Sequence, residues 1–245
     1  MTHPAPHLRL DRLLSNLGYG SRKEIQQLAT ARRILLDGAP IIHADHKIAV
    51  VPDLSQRLTV DGAPLDPPPG LVVMLNKPRG MTCSHNEAGA LVYDLFPARW
   101  RRRDPPISSI GRLDKDTSGL LLFTDDGDLL HRVIAPKSAV AKRYHATLAR
   151  PLSGDEAAAF ASGELMLEGE DKPLLPAVLE RLSPMVCNVT ITEGRYHQVR
   201  RMFAALGNHV LTLHRDRVGG LALPDDLLEG EFRLMDADET AKIFA

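Results

Sequence analysis

The 245-residue chain is poor in cysteine, in aromatic residues and in long apolar runs. Two cysteines, Cys83 and Cys187, cannot build a disulfide framework, and they lack the C-x-x-C spacing of a metal knuckle. A reducing, cytoplasmic setting is therefore expected. No apolar stretch approaches the roughly 18 residues of a membrane helix; runs such as Leu71 to Leu75 have the length of core strands. Met1 to Leu10 is polar and broken by proline, without the apolar centre of a secretory signal. Also missing are G-x-x-x-x-G-K-[ST], G-x-G-x-x-G after a strand, H-E-x-x-H and G-x-S-x-G. Phosphate-loop, dinucleotide, zinc-hydrolase and serine-esterase chemistry thus lack their signatures. The 10 histidines show no ligand spacing, so neither a metal nor a nucleotide cofactor is expected. What remains is 44% hydrophobic and 25% charged, the balance of one or two globular domains.

A net charge of −1 argues at first against a polyanionic partner. The distribution argues the other way. Residues 1–62 carry +2, residues 71–150 carry +5 and residues 190–220 carry +3, whereas residues 151–189 and 221–245 carry −5 each. Positive charge gathered into three segments is the footprint a nucleic acid requires.

The N-terminal segment reads as a small unit. Leu8, Leu10, Leu13, Leu14 and Leu17 form a helical stripe closed by Gly18 and Gly20. Ser21 with Glu24 makes a capping box opening a second helix that buries Ile25 and Leu28. Arg33 to Leu36, Asp37-Gly38 and Ala39 to Ile42 read as a hairpin. Arg9, Arg12, Arg22, Lys23, Arg32 and Arg33 lie off the apolar stripes. The run RLDRLLSNLGYGSRKEIQQLATARRILLDGAPI resembles the S4-like RNA-binding domain, and that resemblance makes these cations RNA contacts. The domain is placed at 7–62. A linker at 63–70 follows, with Pro67, Pro68 and Pro69 too poor in donors for sheet or helix. The rest, 71–245, is expected to fold without the first 62 residues.

Beyond the linker, strands are predicted at Leu71–Asn76, Ile107–Ile110, Gly119–Thr124, Arg143–Ala149, Val186–Thr192 and His209–His214. Helices are predicted near Leu91–Phe96, Asp128–Ile134, Asp155–Ala161 and Gln198–Leu206. Their irregular order predicts an α+β fold with a mixed, mainly antiparallel sheet.

Three segments stand out. Gly111-Arg112-Leu113-Asp114-Lys115-Asp116 is a polar loop between apolar strands, where side chains meet a cleft; on spacing alone Asp114 reads as a carboxylate capping its own loop. Lys142-Arg143-Tyr144-His145-Ala146 opens a strand, and Tyr144 alone reads as a core aromatic. Glu193-Gly194-Arg195-Tyr196-His197-Gln198-Val199-Arg200-Arg201-Met202-Phe203 leads into a helix whose apolar face uses Val199, Met202, Phe203 and Leu206. Arg200 and Arg201 both flank that face, and helical spacing does not choose between them.

In this order, GRLDKDTSGLLL, KRYHATL and EGRYHQVRRMFAALGNHVLTLHR, with LNKPRGMTCS ahead of them, resemble the pseudouridine synthases over nearly the whole chain. Within the family the wording is most like the branch that modifies one uridine of 16S rRNA. The resemblance makes Asp114 the essential aspartate, Tyr144 its aromatic partner and Arg200 the essential base, ion-paired to Asp114. It implies an isomerase needing no cofactor, acting as a monomer on 16S rRNA or an assembling small subunit, by resemblance at uridine 516. Asp114 as nucleophile and Asp114 as base both remain open. Arg112, Leu113, Arg195, His197, Gln198 and Arg201 are further substrate or RNA contacts, and Leu211 or Leu213 walls the base. Arg79, Arg99, Arg103 and Lys137 are candidate phosphate contacts. Trp100, Arg101 and Arg102 in the RWRRR run offer a stacking ring beside charge, in a loop that orders on RNA. The rivals are a synthase of large-subunit 23S rRNA and a non-catalytic assembly factor that keeps the fold.

Overall fold

The computed structural model describes residues 6–245; the first five, part of the stretch read above as no secretory signal, lie outside the described residues. The chain divides into two compact units. One takes the residues up to Leu71 together with Phe96–Ser108 and Thr124–Asp126; the other takes Val72–Leu95, Ser109–Phe123 and Gly127–Ala245.

In the first unit the leucine stripe forms helix Leu10–Asn16, and Leu10, Leu13, Leu14 and Leu17 are buried with Ile25, Ala29 and Ile34. Helix Arg22–Thr30 opens on the expected capping box, with both Ser21 and Glu24 bonds made. Strand Ile34–Leu36 turns at Asp37-Gly38 into Ala39–Pro40 and pairs on its other side with Leu58–Val60. That strand turns at Asp61-Gly62 into Ala63–Pro64, so the stretch read as linker begins with two strand residues. Both Asp-Gly pairs have positive φ at each residue, as a tight primed hairpin turn requires. Arg57 holds Asp37 at 2.7 Å while Arg33 holds Asp61, so each hairpin turn is tied to the residue that leads into the neighbouring strand.

The proline linker is clamped. Pro67 and Pro68 offer carbonyls but no N–H, so their acceptors need outside donors. Arg103 supplies them, at 2.9 Å to Pro67 and 3.3 Å to Pro68, and also meets Asp125 at 2.7 Å. Asp125 in turn accepts from the Gly70 amide at 2.8 Å. Both side chains of this ion pair are buried, at 1% and 2% exposure. The RWRRR run departs from expectation for the same reason. Trp100 is buried and stacks on Phe96, with centroids 5.9 Å apart, so its ring is not offered to a base. Arg99 grips Asp66 at 2.6 and 3.1 Å and lies 4.0 Å over the Tyr19 ring. Only Arg101 and Arg102 of the three proposed contacts here are exposed.

The second unit is built on a sheet ordered Val178–Ser183, Val186–Ile191, Lys142–Leu148, Val210–Val218, Thr117–Thr124, Val72–Lys77, Phe232–Leu234. Its first four strands pair antiparallel, as do Val72–Lys77 and Phe232–Leu234, whereas Val210–Val218 runs parallel to Thr117–Thr124, giving the mixed α+β arrangement expected. Gly119 makes the parallel contact possible. It sits at φ +105°, and a Cβ there would lie 2.2 Å from the Arg215 carbonyl oxygen. Helices Gly127–Ile134, Glu156–Ala161 and Gln198–Ala205 carry the buried faces that pack in this unit. Leu206 lies past the last of these and is exposed; Gln198 is buried instead. The helix read at Leu91–Phe96 is a single 3-10 turn, Val92–Leu95, and the strand at Ile107–Ile110 shrinks to Ser108–Ser109. Among the described residues no helix is long and apolar enough to cross a membrane.

Candidate active site

The loop carrying Asp114 hangs between the Ile110 region and strand Thr117–Thr124, closed by the Thr117 amide bonding the Asp114 carbonyl at 3.0 Å. Two buried or half-buried cations pin it through three successive carbonyls. Lys77, with no exposed surface, donates to Lys115 at 3.3 Å and Thr117 at 2.8 Å, and to Pro78 at 3.0 Å. Arg200 donates to the Asp116 carbonyl at 3.2 Å and to that of Val210 at 3.0 Å. Burial pushes the Lys77 ammonium below its ordinary pKa. The Cys83 thiol donates to the Leu113 carbonyl at 3.3 Å, and burial raises its pKa; it is a structural thiol.

These anchors leave the Asp114 carboxylate about one-third exposed in a cleft of about 580 Å³. Arg112 and Leu113 line the same cleft, with Tyr144 and Leu213 from the sheet and Arg195, His197 and Gln198 from the segment before the last long helix. His197 brings Nε2 to 3.4 Å from Asp114 Oδ1, on a left-handed backbone at φ 51°.

Arg200 is not the ion-pair partner of Asp114 that the resemblance implied. Both its bonds end on backbone oxygens, and it acts on the loop rather than on the carboxylate. Arg201 reaches the Glu170 carboxylate at 2.8 Å, and Arg195 binds Glu170 at 3.2 Å, Glu193 at 3.1 Å and two backbone carbonyls. Both tie down the 168–173 segment, and Arg201 holds Glu170 below the usual carboxylate range. The guanidinium that does enter the cleft beside the aromatic ring is Arg215. It is buried, fixed by the Leu120 carbonyl at 2.9 Å, and its Nη1 stands 3.4 Å from the Tyr144 hydroxyl.

Leu213, not Leu211, walls the cleft. The two share strand parity, but Leu148 pairs with Val210 and Thr147 with Thr212, which leaves Leu211 as the extra residue of a bulge; it is 55% exposed. Tyr196 stacks on His197 with centroids 3.9 Å apart and is exposed. In the first unit Arg12, Arg22, Lys23, Arg32 and Arg33 all reach solvent, Arg33 in its ion pair with Asp61. Arg79 and Lys137 are exposed as well. Among the described residues no group of His, Cys, Asp and Glu is arranged to hold a metal.

A pinned aspartate loop, a tyrosine and a buried arginine beside it line one cleft, and comparison with known proteins identifies the class. Residues 71–205 match the RNA pseudouridylate synthase model and residues 8–47 the S4 domain model. The chain belongs to the RNA pseudouridylate synthase family, a family of isomerases, and carries an S4 domain. It is 39% identical over 240 residues to ribosomal small subunit pseudouridine synthase A of Escherichia coli (strain K12), covering 96% of this chain and 100% of that protein. The protein of the same name from Yersinia pestis is 40% identical over 245 residues, 97% of this chain and 99% of the relative. A solved crystal structure of pseudouridylate synthase superposes with a TM-score of 0.67 at 36% identity, covering 96% of this chain and 99% of that one.

Proposed function

We propose that this protein converts one uridine of 16S rRNA to pseudouridine, at uridine 516. The observation that carries the reading is the convergence of Asp114, Tyr144 and Arg215 on one cleft whose aspartate loop is held from both sides. Likeness to small-subunit synthases over nearly the full chain favours the 16S target over a 23S one. Presence of the whole constellation disfavours a non-catalytic assembly factor.

The reaction is an isomerisation. The N1–C1′ bond breaks with its electron pair leaving on the uracil, the base turns, and C5 bonds to C1′. The proton on C5 is then lost while N1 gains one, so no electrons or groups enter and no cofactor is required. A stacked base cannot reach Asp114, so the nucleotide must be everted into the cleft. Asp114 acts at the ribose as nucleophile or base. Tyr144 offers a ring to stack on the base and a hydroxyl near C5, and Leu213 forms the apolar wall. Arg215 orients the Tyr144 hydroxyl and supplies positive potential where negative charge develops. The S4 domain, placed at 7–62, grips the RNA through Arg12, Arg22, Lys23 and Arg32, while the residues from 71 onward perform the chemistry. The enzyme acts in the cytoplasm, as a monomer.

Mapping pseudouridines in 16S rRNA from cells lacking the protein tests the reading. One site should vanish and return with the wild-type gene; an unchanged 16S map with a lost 23S site would give the large-subunit rival the case.

A further inference from the structure

The cleft contains a cation that none of the roles above uses. Lys142 stands two residues before Tyr144 on the same strand, so both side chains leave the same face of the sheet, and both line the cleft. Asp114 and Lys142 do not share an end of it. The Asp114 loop leads into Thr117, paired with Leu213, whereas Lys142 pairs with Val218 and Ile191. Tyr144 and Arg215 lie between those levels. The strand partners of Lys142 in the lining, Ile191 and Val218, are apolar and buried.

The ammonium is half-buried, and among the described residues its one acceptor is the Val140 carbonyl at 2.9 Å. The two carboxylates that line the cleft are engaged elsewhere. Glu193 is held by Arg195 and by Gln198 at 3.0 Å, and Asp114 faces His197. The other charged groups of the lining, Arg112, Lys172 and Arg215, are cations. Desolvation, and then the like charge of Arg215, bring the Lys142 pKa down to about 8. An ammonium kept half-buried near a second cation, with a carbonyl as its protein acceptor, bears a cost until a further acceptor reaches it.

We propose that Lys142 is a base-binding residue of the reaction: its ammonium donates to a carbonyl oxygen of the everted uracil and retains the base after the N1–C1′ bond breaks. This rests on the pseudouridine synthase reading of the cleft. When that bond breaks, its electron pair makes the free uracil an anion with charge spread over its two carbonyl oxygens. A donor already placed at one of them is worth most at that moment. Lys142 keeps its proton throughout; it stabilises the detached base and prevents its escape while C5 turns to C1′. A backbone phosphate is the poorer occupant, because the strand partners that flank Lys142 in the lining, Ile191 and Val218, are apolar.

The test is single-turnover tritium release from a 16S rRNA fragment labelled at uracil C5, at saturating enzyme from pH 6 to pH 10, with RNA affinity measured alongside. Lys142→Met should slow the chemical step by about 10- to 100-fold, as loss of a charge-assisted hydrogen bond does, with affinity within threefold. The wild-type rate should fall above about pH 8 as the ammonium loses its proton, and Lys142→Arg, which stays charged, should lack that fall. A Lys142→Met rate within threefold of wild type overturns the proposal. So does weaker RNA binding with an unchanged saturated rate, which would assign Lys142 to a phosphate. Should Lys142→Met fail to fold, Lys142→Arg decides alone, and an alkaline fall that persists in it overturns the proposal. Wild type that releases no tritium from any rRNA overturns the reading of the cleft itself; wild type that releases it while Lys142→Met keeps pace overturns only the role of Lys142.

Discussion

Two neighbouring regions of the second unit are rich in arginine and use it in opposite ways. In the turn and helix from Arg195 to Arg201, all three guanidiniums end on backbone carbonyls or on Glu170 and Glu193, so the region works as scaffold. In strand Val210–Val218, Arg215 ends beside a tyrosine hydroxyl in the cleft. The denser motif holds the site in place, and one of the two arginines of the strand, Arg215, stands beside the tyrosine hydroxyl. A cluster of like side chains is therefore a weak guide to which of them meets the substrate. The bonding partner of each decides.

The sharpest way to break this contrast is to remove each arginine in turn. Arg215→Met should lower the single-turnover rate by at least about 100-fold, the usual cost of deleting a preorganised donor. Arg215→Lys should recover little, because an ammonium cannot serve the Leu120 carbonyl and the Tyr144 hydroxyl together. Arg200→Met should cost about tenfold at most, since Lys77 still holds the Asp114 loop from the other side. Equal losses at the two positions would erase the distinction.

The first unit offers a second contrast, between exposed cations on its helices and an Arg103 sealed with Asp125. Arg103→Met should strand the buried Asp125 carboxylate and lower stability by about 3–5 kcal/mol, read from chemical denaturation. By the same logic, a chain lacking residues 1–62 should unfold at lower temperature than the full protein. Arg99 would lose the Tyr19 ring, and Asp104 would lose the Asn16 carbonyl its amide bonds at 2.8 Å. Clean, undiminished folding of that truncation would restore the simple modular boundary expected from the proline run.

A smaller effect concerns Lys142. Its pKa in the fold, about 8, lies below the ordinary 10.5, so its charge destabilises the native state at pH 7. Stability from this group is fully present above the unfolded value and is lost as pH falls toward the folded one. Lys142→Met should accordingly raise the midpoint of thermal unfolding at pH 7 by about 2 °C, with the partial exposure limiting the gain, and leave it unchanged near pH 10.5.

The sequence reading succeeded where local chemistry decides the structure. The capping box at Ser21, the Asp37-Gly38 turn and the polar Asp114 loop ahead of the buried strand Thr117–Thr124 each carry their instructions within a few residues. It failed where the deciding partner is remote. Asp125, far along the chain, explains why Arg103 is buried, and no periodicity connects them. Leu211 and Arg215 were obscured by bulges on one strand: the first turns Leu211 outward, and the second leaves Asp216 unpaired between Arg215 opposite Tyr144 and Arg217 opposite Arg143. Strands Val178–Ser183 and Phe232–Leu234 leave little pattern in the sequence because they lie at the sheet edges, where little burial enforces alternation.

The central claim is that chemistry occurs at Asp114, on a loop fixed by Lys77 and Arg200. Tritium release from C5-labelled 16S rRNA by Asp114→Asn and Asp116→Asn, with RNA affinity measured for both, tests it most directly. The two substitutions are alike in size and lie two residues apart, but only Asp114 lines the cleft. The account predicts no detectable release by Asp114→Asn, with affinity within a few-fold of wild type, and nearly full activity for Asp116→Asn. Substantial turnover by Asp114→Asn, or loss of the chemical step in Asp116→Asn alone, would contradict it.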